Sequence, residues 1–403
     1  MNAAMIQSEN CMSGPRVKST QECPDAGRAR RMLDAAVDNL NEYFAALEER
    51  CEAPGCDLNV LAGGLAEQLR RVKEFCRVIE KVMDGRTLRK IQREFRRRTD
   101  HYFSKSSLMN QARTWPRGYP GDYRIIDATY DNRPLSEGIG ELMDGYFLAT
   151  TLARGIRHRR EKMRDMLTEE LLRRPGAQVL NIGCGPCREV LELAPVIKRC
   201  NAHITNVDFD ADALRFSGER LNEVGIADHV SFRRYNAIRM VNAQKNVREF
   251  GQFDVIYTIG LLDYLSDAIL VRLIKSLHTT LKPNGVLIAV FKDRDQYATQ
   301  DYHWLVDWSQ FHQRDARASR TCFDEAGIAS DAISVSRTSD NVMIFYRVLQ
   351  TADTKVRTLT HGSHGRGRPV GRYDVRTSSH DQRSGAARSS SSAIRHPSGR
   401  TRG

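Results

Sequence analysis

The spacing of apolar residues differs between the two halves of the chain. Before residue 177, apolar residues recur every three or four positions, which is typical of amphipathic helices. Pro54 and Gly55 interrupt the first of these runs. The pattern predicts helices over residues 30–51, 60–83, 87–109 and 146–167.

Short apolar runs take over after residue 177. They predict strands over residues 179–182, 203–208, 230–235, 253–260, 286–290 and 342–346. A Lys-Pro-Asn-Gly turn at 282–285 precedes the fifth of these strands. Strands that alternate with helices favour a mostly parallel, doubly wound sheet. We therefore expect an α/β, Rossmann-like sheet with an N-terminal helical cap.

Charge and composition divide the chain further. The net charge is +12, but residues 351–403 hold 11 Lys and Arg against 3 Asp, which is two thirds of the excess. Such a Ser-, Gly- and Arg-rich segment cannot bury enough apolar surface to fold. We expect a disordered lead-in over 1–29, a helical cap and substrate-lid region over 30–170, a catalytic domain over 171–350 and a disordered basic tail over 351–403.

The composition also bears on partners and compartment. Because the predicted folded part is nearly neutral, we expect no nucleic-acid partner, and at most peripheral membrane contact through the basic tail. No apolar run is long enough to span a bilayer, and no secretory signal is evident. Nine cysteines without a paired framework fit a reducing compartment. We expect a cytoplasmic protein.

A glycine-rich turn follows the first predicted strand. Val179, Leu180 and Ile182 lead into Gly183-Cys-Gly185, and an apolar helical pattern follows. Glycines let the backbone turn sharply and approach a ligand closely. Asp208 ends the second predicted strand, close to the spacing expected of an acid that binds ribose hydroxyls.

Three further signals follow these: Asn236 at the third strand end, the Phe253-Asp254 strand and the Lys282–Gly285 turn. Over residues 176–348, the whole combination resembles the class I S-adenosylmethionine-dependent methyltransferases. The resemblance implies S-adenosylmethionine as the cofactor. It places Gly183 and Gly185 near the methionyl part and ribose, and Asp208 on the ribose hydroxyls. The implied cofactor-binding set is completed by Asn181, by Phe209 on the adenine, by Asn236 and Ala237 at the adenine edge, and by Ile259 and Gly260 beside the methyl group.

Other interpretations of these residues remain open. Asp208 and Asn236 are also turn formers, and Phe209 is also an ordinary core residue. A dinucleotide site expects a third glycine where this chain has Arg188. A Cys-x-x-Cys motif at 184–187 is compatible with thiol chemistry. No second such pair exists, so we expect no metal site.

A narrower resemblance rests on Arg117-Gly-Tyr-Pro-Gly-Asp-Tyr123, the arginines at 157, 159 and 160, and the Trp304–Arg314 stretch. This combination is similar to the methyltransferases of 3-hydroxypalmitic acid methyl ester biosynthesis, which make a quorum-sensing signal of plant-pathogenic bacteria. Phe311 and Gln313 depart from the pattern expected in the late stretch. The resemblance implies esterification of the carboxylate of a 3-hydroxy fatty acid.

An ionised carboxylate needs no general base, so this reaction calls for an anion holder and apolar walls. The candidate anion holders are Arg157, Arg117 and His303, and the candidate walls are Tyr119, Tyr123, Trp304 and Trp308. Of these, Arg157, Tyr119 and His303 form the predicted catalytic set. The alternatives are a methyltransferase for another small-molecule O or N acceptor, with His303 as a base, and a non-catalytic S-adenosylmethionine-binding regulator.

Overall fold

Seven strands form one sheet within residues 24–351, which the computed structural model describes. The strands are β1 (Gln178–Ile182), β2 (His203–Asp208), β3 (Val230–Arg234), β4 (Phe253–Thr258), β5 (Leu281–Lys292), β6 (Ile333–Arg337) and β7 (Met343–Leu349). Their order is β3-β2-β1-β4-β5-β7-β6. The first five strands are parallel, whereas β7 is antiparallel to both of its neighbours. The predicted mostly parallel α/β sheet is confirmed.

Helices precede the sheet and alternate with its strands. They are α1 (Pro24–Glu52), α2 (Leu58–Val82), α3 (Gly85–Phe103), α4 (Ser107–Thr114), α5 (Tyr123–Asp131), α6 (Ile139–Ala149), α7 (Thr151–Arg173), α8 (Arg188–Glu192), α9 (Ala194–Cys200), α10 (Ala211–Glu223), α11 (Ala243–Phe250), α12 (Asp267–Thr280) and α13 (Ala316–Glu325). Short turns of 3₁₀ or π-helix connect several of them. No helix among residues 24–351 is long and apolar enough to cross a membrane.

The two faces of the sheet belong to different apolar clusters, because successive strand residues point to opposite sides. Val179 and Val255 join a cluster that extends into the N-terminal helices, where Phe44 is fully buried. Their chain neighbours Leu180 and Ile256 join the cluster that contains residues of α12 and α13. The N-terminal helices therefore share a continuous core with one face of the sheet.

Helix boundaries differ from the sequence prediction at three places. The first helix begins at Pro24, six residues before Arg30. The predicted third helix ends at Phe103, and α4 begins after Ser106, whose hydroxyl accepts a hydrogen bond from the Met109 N–H. The predicted 146–167 helix divides at Thr150, whose ψ of 151° is not helical. The remaining residues of the predicted lead-in and tail, 1–23 and 352–403, lie outside the described residues.

The predicted turn at 282–285 is an irregularity inside β5. Phe253 pairs with Leu281, but Val255 pairs with Val286, so the register shifts between them. Asn284 has a φ of 62°, which is a conformation that Asn tolerates better than most residues. Edge strand β6 was not predicted, because its Ile-Ser-Val-Ser-Arg sequence has only two apolar residues and neither is buried.

Candidate cofactor and acceptor site

The glycine turn lies at the carboxyl end of β1, where it is tied to β2. The N–H groups of Gly183 and Cys184 donate to the Val207 carbonyl at 2.8 and 3.1 Å. Gly185 has a φ of +51°, a region that disfavours side chains. Within residues 24–351, no atom beyond Gly185 and its two chain neighbours lies within 4 Å of the point where a Cβ of Gly185 would stand, so the turn has an open face for a ligand.

Asp208 lies directly beside this turn at the end of β2. Its carboxylate accepts from the Gly185 N–H at 2.9 Å and from the Asp210 N–H at 3.0 Å, one bond on each oxygen. Burial raises the pKa of Asp208, and these backbone bonds oppose the rise. Each carboxylate oxygen keeps a second lone pair, so two ribose hydroxyls can still be accepted.

A loop from the N-terminal helices closes over the end of β2. Arg117 donates to both oxygens of Asp210 at 2.8 and 2.7 Å and to Asp212 at 2.5 Å. The Tyr119 hydroxyl donates to Asp210 at 2.7 Å, and its ring meets Phe209 at 4.9 Å between centroids. Burial alone would raise the pKa of Asp210, but the bonds from Arg117 and Tyr119 outweigh it and hold the pKa at about 2. This loop therefore borders the cofactor end of the site.

Replacing Arg117 by alanine should release this loop and weaken S-adenosylmethionine binding several-fold, by roughly 1 kcal/mol, because Tyr119 would no longer be held against Phe209. Isothermal titration calorimetry measures the change. Arg124→Ala, an exposed position on α5, is the matched control. An affinity equal to that of the wild type would contradict the loop's role. Since the Asp210 pKa lies below its ordinary value, the ion pair should persist on acidification until the pH approaches about 2.

The remaining predicted cofactor residues occupy the same edge of the sheet. Asn236 is exposed at the end of β3, and its side chain accepts from the Ile238 N–H at 3.0 Å. Ala237 and Ile259 are buried beside the strand ends. Asn181 is fully buried and donates to Asn206 at 3.0 Å and Glu189 at 3.3 Å. Asn181 therefore supports the strands beneath the turn.

Gly260, at the exit of β4, lies against Arg159 of α7. A Cβ at Gly260 would stand 3.0 Å from one terminal nitrogen of Arg159 and 3.3 Å from its central carbon. A side chain at this position would push the guanidinium away by a few tenths of an ångström. Arg159 is 6% exposed, and its Nε has no hydrogen-bond partner among the described residues.

Arg159 also differs from its neighbour in its pairing. Arg160 forms ion pairs with Glu161 and Glu192. Arg159 forms no such pair with a carboxylate in residues 24–351. Its charge and its hydrogen bond lower the pKa of Tyr130, which burial raises. A buried cation without a counter-charge is costly, so this guanidinium is suited to an anionic ligand.

An aromatic cluster lies next to Arg159 at the ends of β4 and β5. The Lys292 ammonium is 2.6 Å from Asp263 and 3.7 Å from the centre of the Phe311 ring. Phe311 packs against Tyr264 at 4.9 Å and Trp308 at 5.9 Å between centroids. Arg159 is close enough to Tyr264 and Lys292 for its charge to lower the pKa of both side chains. These groups therefore lie in one region.

Several predicted acceptor residues lie elsewhere. Arg157 donates to the carbonyls of Leu148 and Thr129, where it caps the ends of α6 and α5. Arg117 is committed to Asp210 and Asp212. Both guanidinium groups thus have partners within the described residues, whereas Arg159 lies against Gly260 without a carboxylate partner in residues 24–351.

The contacts of His303, Trp304 and Tyr123 are with helices of the cap and with α10. The His303 carbonyl accepts from Arg96 of α3, and burial lowers the pKa of the His303 ring. Trp304 packs on Phe95 at 5.7 Å and donates to Glu80. Tyr123 packs on Phe216 of α10 at 5.1 Å. Of the predicted walls, Trp308 belongs to the aromatic cluster, whereas Tyr119 borders the cofactor end.

The two cysteines of the glycine turn are buried. Burial raises the pKa of Cys184 well above its usual value, and the Cys187 thiol donates to Asn206 at 3.5 Å. Since the thiolate is the reactive form, this environment disfavours thiol chemistry. In the part of the chain described, no group of three or more His, Cys, Asp or Glu side chains is arranged to hold a metal ion.

Cys187→Ser should leave methyl transfer within about twofold of the wild type, because the hydroxyl can donate to Asn206 as the thiol does. Initial rates with labelled S-adenosylmethionine measure this. Loss of turnover in a variant with normal thermal unfolding would instead restore a thiol mechanism.

The comparison with known families agrees with this geometry. Residues 156–329 match the model of a family described as a methyltransferase domain. This segment is a methyltransferase domain. S-adenosylmethionine is its cofactor, and the open glycine turn, the free lone pairs of Asp208 and the half-exposed Phe209 ring fit the methionyl, ribose and adenine parts.

Several solved structures are similar to this chain. A possible exported protein from Bordetella parapertussis is 17% identical, with a TM-score of 0.52 over 82% of this chain and 99% of that chain. Magnesium protoporphyrin IX methyltransferase from Synechocystis PCC 6803 is 14% identical, with a TM-score of 0.37 over 50% and 84%. The N-methyltransferase NodS from Bradyrhizobium japonicum WM9 is 16% identical, with a TM-score of 0.33 over 48% and 97%. No curated protein matches the chain in sequence.

Proposed function

We propose that the methyltransferase domain esterifies the carboxylate of a 3-hydroxy fatty acid, with 3-hydroxypalmitate as the substrate and a methyl ester quorum-sensing signal as the product. The observation that supports a carboxylate acceptor is Arg159, a buried guanidinium without a carboxylate partner in residues 24–351, in contact with Gly260. Support for the 3-hydroxy fatty acid comes from the resemblance of the 117–123 motif and the residues after it.

The chemistry requires orientation more than proton transfer. Bound S-adenosylmethionine supplies an electrophilic methyl group on its sulfonium. A carboxylate is ionised near neutral pH, so no side chain has to remove a proton. Arg159 would hold the carboxylate through two parallel hydrogen bonds and orient one oxygen toward Gly260. The Tyr264, Trp308 and Phe311 rings would exclude water and accept the first part of the acyl chain.

A hydroxyl or amine acceptor is less well supported. Such an acceptor benefits from a general base near the methyl group. Asp263, a carboxylate beside this cluster, is paired with Lys292 at 2.6 Å. His303, the base suggested by the sequence, is held against α3 through its carbonyl, and a base role would rest on its buried ring, whose Nε2 has no partner among the described residues.

The test is a purified full-length protein with methyl-labelled S-adenosylmethionine and an acceptor panel. The panel contains 3-hydroxyhexadecanoate, its 3-methoxy analogue, hexadecanol and hexadecylamine. Label should appear as a methyl ester of 3-hydroxyhexadecanoate and, since the acid is kept, of the 3-methoxy acid at a lower rate. Label on the 3-hydroxyl of the first compound, or only on the alcohol or amine, would contradict carboxyl methylation.

A further inference from the structure

The Trp308 indole has an unusual position among the tryptophans of the chain. The sequence has three. The Trp115 N–H donates to the carbonyls of Ala112 and Asp307 at 3.1 and 2.9 Å, and the Trp304 N–H donates to Glu80 at 2.7 Å. The Trp308 side chain is 2% exposed, yet its N–H has no partner among the described residues. A buried donor without an acceptor is unfavourable, and a buried indole N–H ordinarily finds one.

Aromatic rings surround the Trp308 indole on most of its sides. The Trp308 ring packs among Phe147, Tyr302 and Phe311, with centroids 6.1, 6.3 and 5.9 Å away. On its remaining side lies Gly121 of the loop that precedes α5. A Cβ at Gly121 would stand 3.5 Å from the Trp308 N–H nitrogen and 2.6 Å from the Tyr264 hydroxyl oxygen. Both polar atoms therefore lie within 3.5 Å of one point beside Gly121, and a group that enters between them requires the Tyr264 hydroxyl or this loop to shift.

The two polar atoms are chemically complementary. The indole N–H can only donate. The Tyr264 hydroxyl donates to the Pro120 carbonyl at a long 3.5 Å, so its oxygen is left to accept. A group that both accepts and donates therefore satisfies this pair, and a hydroxyl is the smallest substituent of an acyl chain that does so. A ketone satisfies the indole alone, and a methylene satisfies neither.

We infer that Trp308 and Tyr264 form a hydroxyl-recognition site for the acceptor, in which the Trp308 N–H donates to the alcohol oxygen and the Tyr264 oxygen accepts its proton. This assignment rests on the proposed function, since it gives the substrate's 3-hydroxyl a binding site. Tyr264 lies close enough to Arg159 for the guanidinium charge to lower its pKa. Arg159 would hold the carboxylate next to the 3-hydroxyl. The two residues thus determine specificity and take no part in the methyl transfer itself.

The first test compares kcat/KM for 3-hydroxyhexadecanoate, 3-oxohexadecanoate and hexadecanoate in the wild type and in Trp308→Phe. The wild type should prefer the three acids in that order, because an analogue that leaves a buried donor unpaired is rejected. Trp308→Phe keeps an aromatic ring but removes the N–H. It should lower kcat/KM for the hydroxy acid by roughly tenfold more than it lowers kcat/KM for hexadecanoate, because only the hydroxy acid loses a hydrogen bond from the indole. An equal loss for all three acids would reduce Trp308 to a packing role and overturn the inference.

The second test uses the unmodified protein and does not depend on the variant's folding. With ¹⁵N-labelled tryptophan, the protein gives three indole N–H signals, which Trp115→Phe and Trp304→Phe help to assign. With S-adenosylhomocysteine bound, 3-hydroxyhexadecanoate should shift the Trp308 signal downfield, whereas hexadecanoate should not. Identical shifts from both acids would overturn the recognition site while leaving carboxyl methylation intact. Absence of turnover and of binding with every acid would instead sink the proposed function, and the hydroxyl site with it.

Discussion

Asp208→Ala is expected to weaken S-adenosylmethionine binding by about 3 kcal/mol, or roughly 100-fold, because two charge-assisted hydrogen bonds to the ribose are lost. Isothermal titration calorimetry of the cofactor measures the effect. Alanine also leaves the N–H groups of Gly185 and Asp210 without their acceptor, so some thermal stability is lost as well.

Asp208→Asn separates these two effects. Asparagine keeps the volume and one acceptor oxygen but removes the charge, so it keeps one of the two backbone hydrogen bonds, should lose less thermal stability than alanine, and should bind the cofactor more weakly than the wild type. Because burial raises the Asp208 pKa, cofactor affinity should also decline on acidification at a pH above the ordinary 3.8. Full affinity in both variants would remove Asp208 from the cofactor site.

Arg159→Gln is expected to reduce kcat/KM for the acceptor by about 100- to 1,000-fold, which corresponds to roughly 3–4 kcal/mol. The variant removes the charge that would hold the carboxylate and leaves Gly260 and the glycine turn unchanged. Cofactor affinity should therefore stay within about threefold of the wild type. Initial rates at varied acceptor concentration, together with calorimetry of the cofactor, measure both quantities.

The control for Arg159 lies on the same helix. Arg154→Gln changes an exposed arginine of α7 and should leave both constants unchanged. Arg159→Lys keeps the charge but not the two-pronged geometry, so it should recover only part of the activity. Equal losses in Arg159→Gln and Arg154→Gln would indicate a general effect of charge on α7 and contradict a specific carboxylate site.

The cofactor end of the site could be predicted because its signals are local. Gly183, Gly185 and Asp208 stand at fixed positions relative to apolar strands, and parallel strands bring their carboxyl ends to one edge. The same logic located Gly260. Strand β6 was not predicted, because an exposed edge strand needs few apolar residues and so leaves little pattern in the sequence.

The acceptor end depends on contacts between distant parts of the chain. Arg117 pairs with Asp210, which lies 93 positions later in the sequence. No local sequence pattern predicts this ion pair. Arg157 and Arg159 are two positions apart on one helix, so they point about 200° apart around its axis. The sequence showed an arginine-rich helix, but only the packing of α7 on Gly260 decides which arginine faces the site. Gly260, at the exit of a predicted strand, was the one feature of the sequence that pointed to a large side chain packed at this place.

The central claim is that this methyltransferase domain transfers a methyl group to the carboxylate held by Arg159. The most direct test is mass spectrometry of lipid extracts from cells fed methyl-labelled methionine, comparing the wild type, Arg159→Gln and cells without the protein. We expect a labelled 3-hydroxy fatty acid methyl ester that requires the protein and falls sharply in Arg159→Gln. A labelled ester at equal abundance in Arg159→Gln, or no labelled ester from a wild-type protein that binds S-adenosylmethionine, would contradict it.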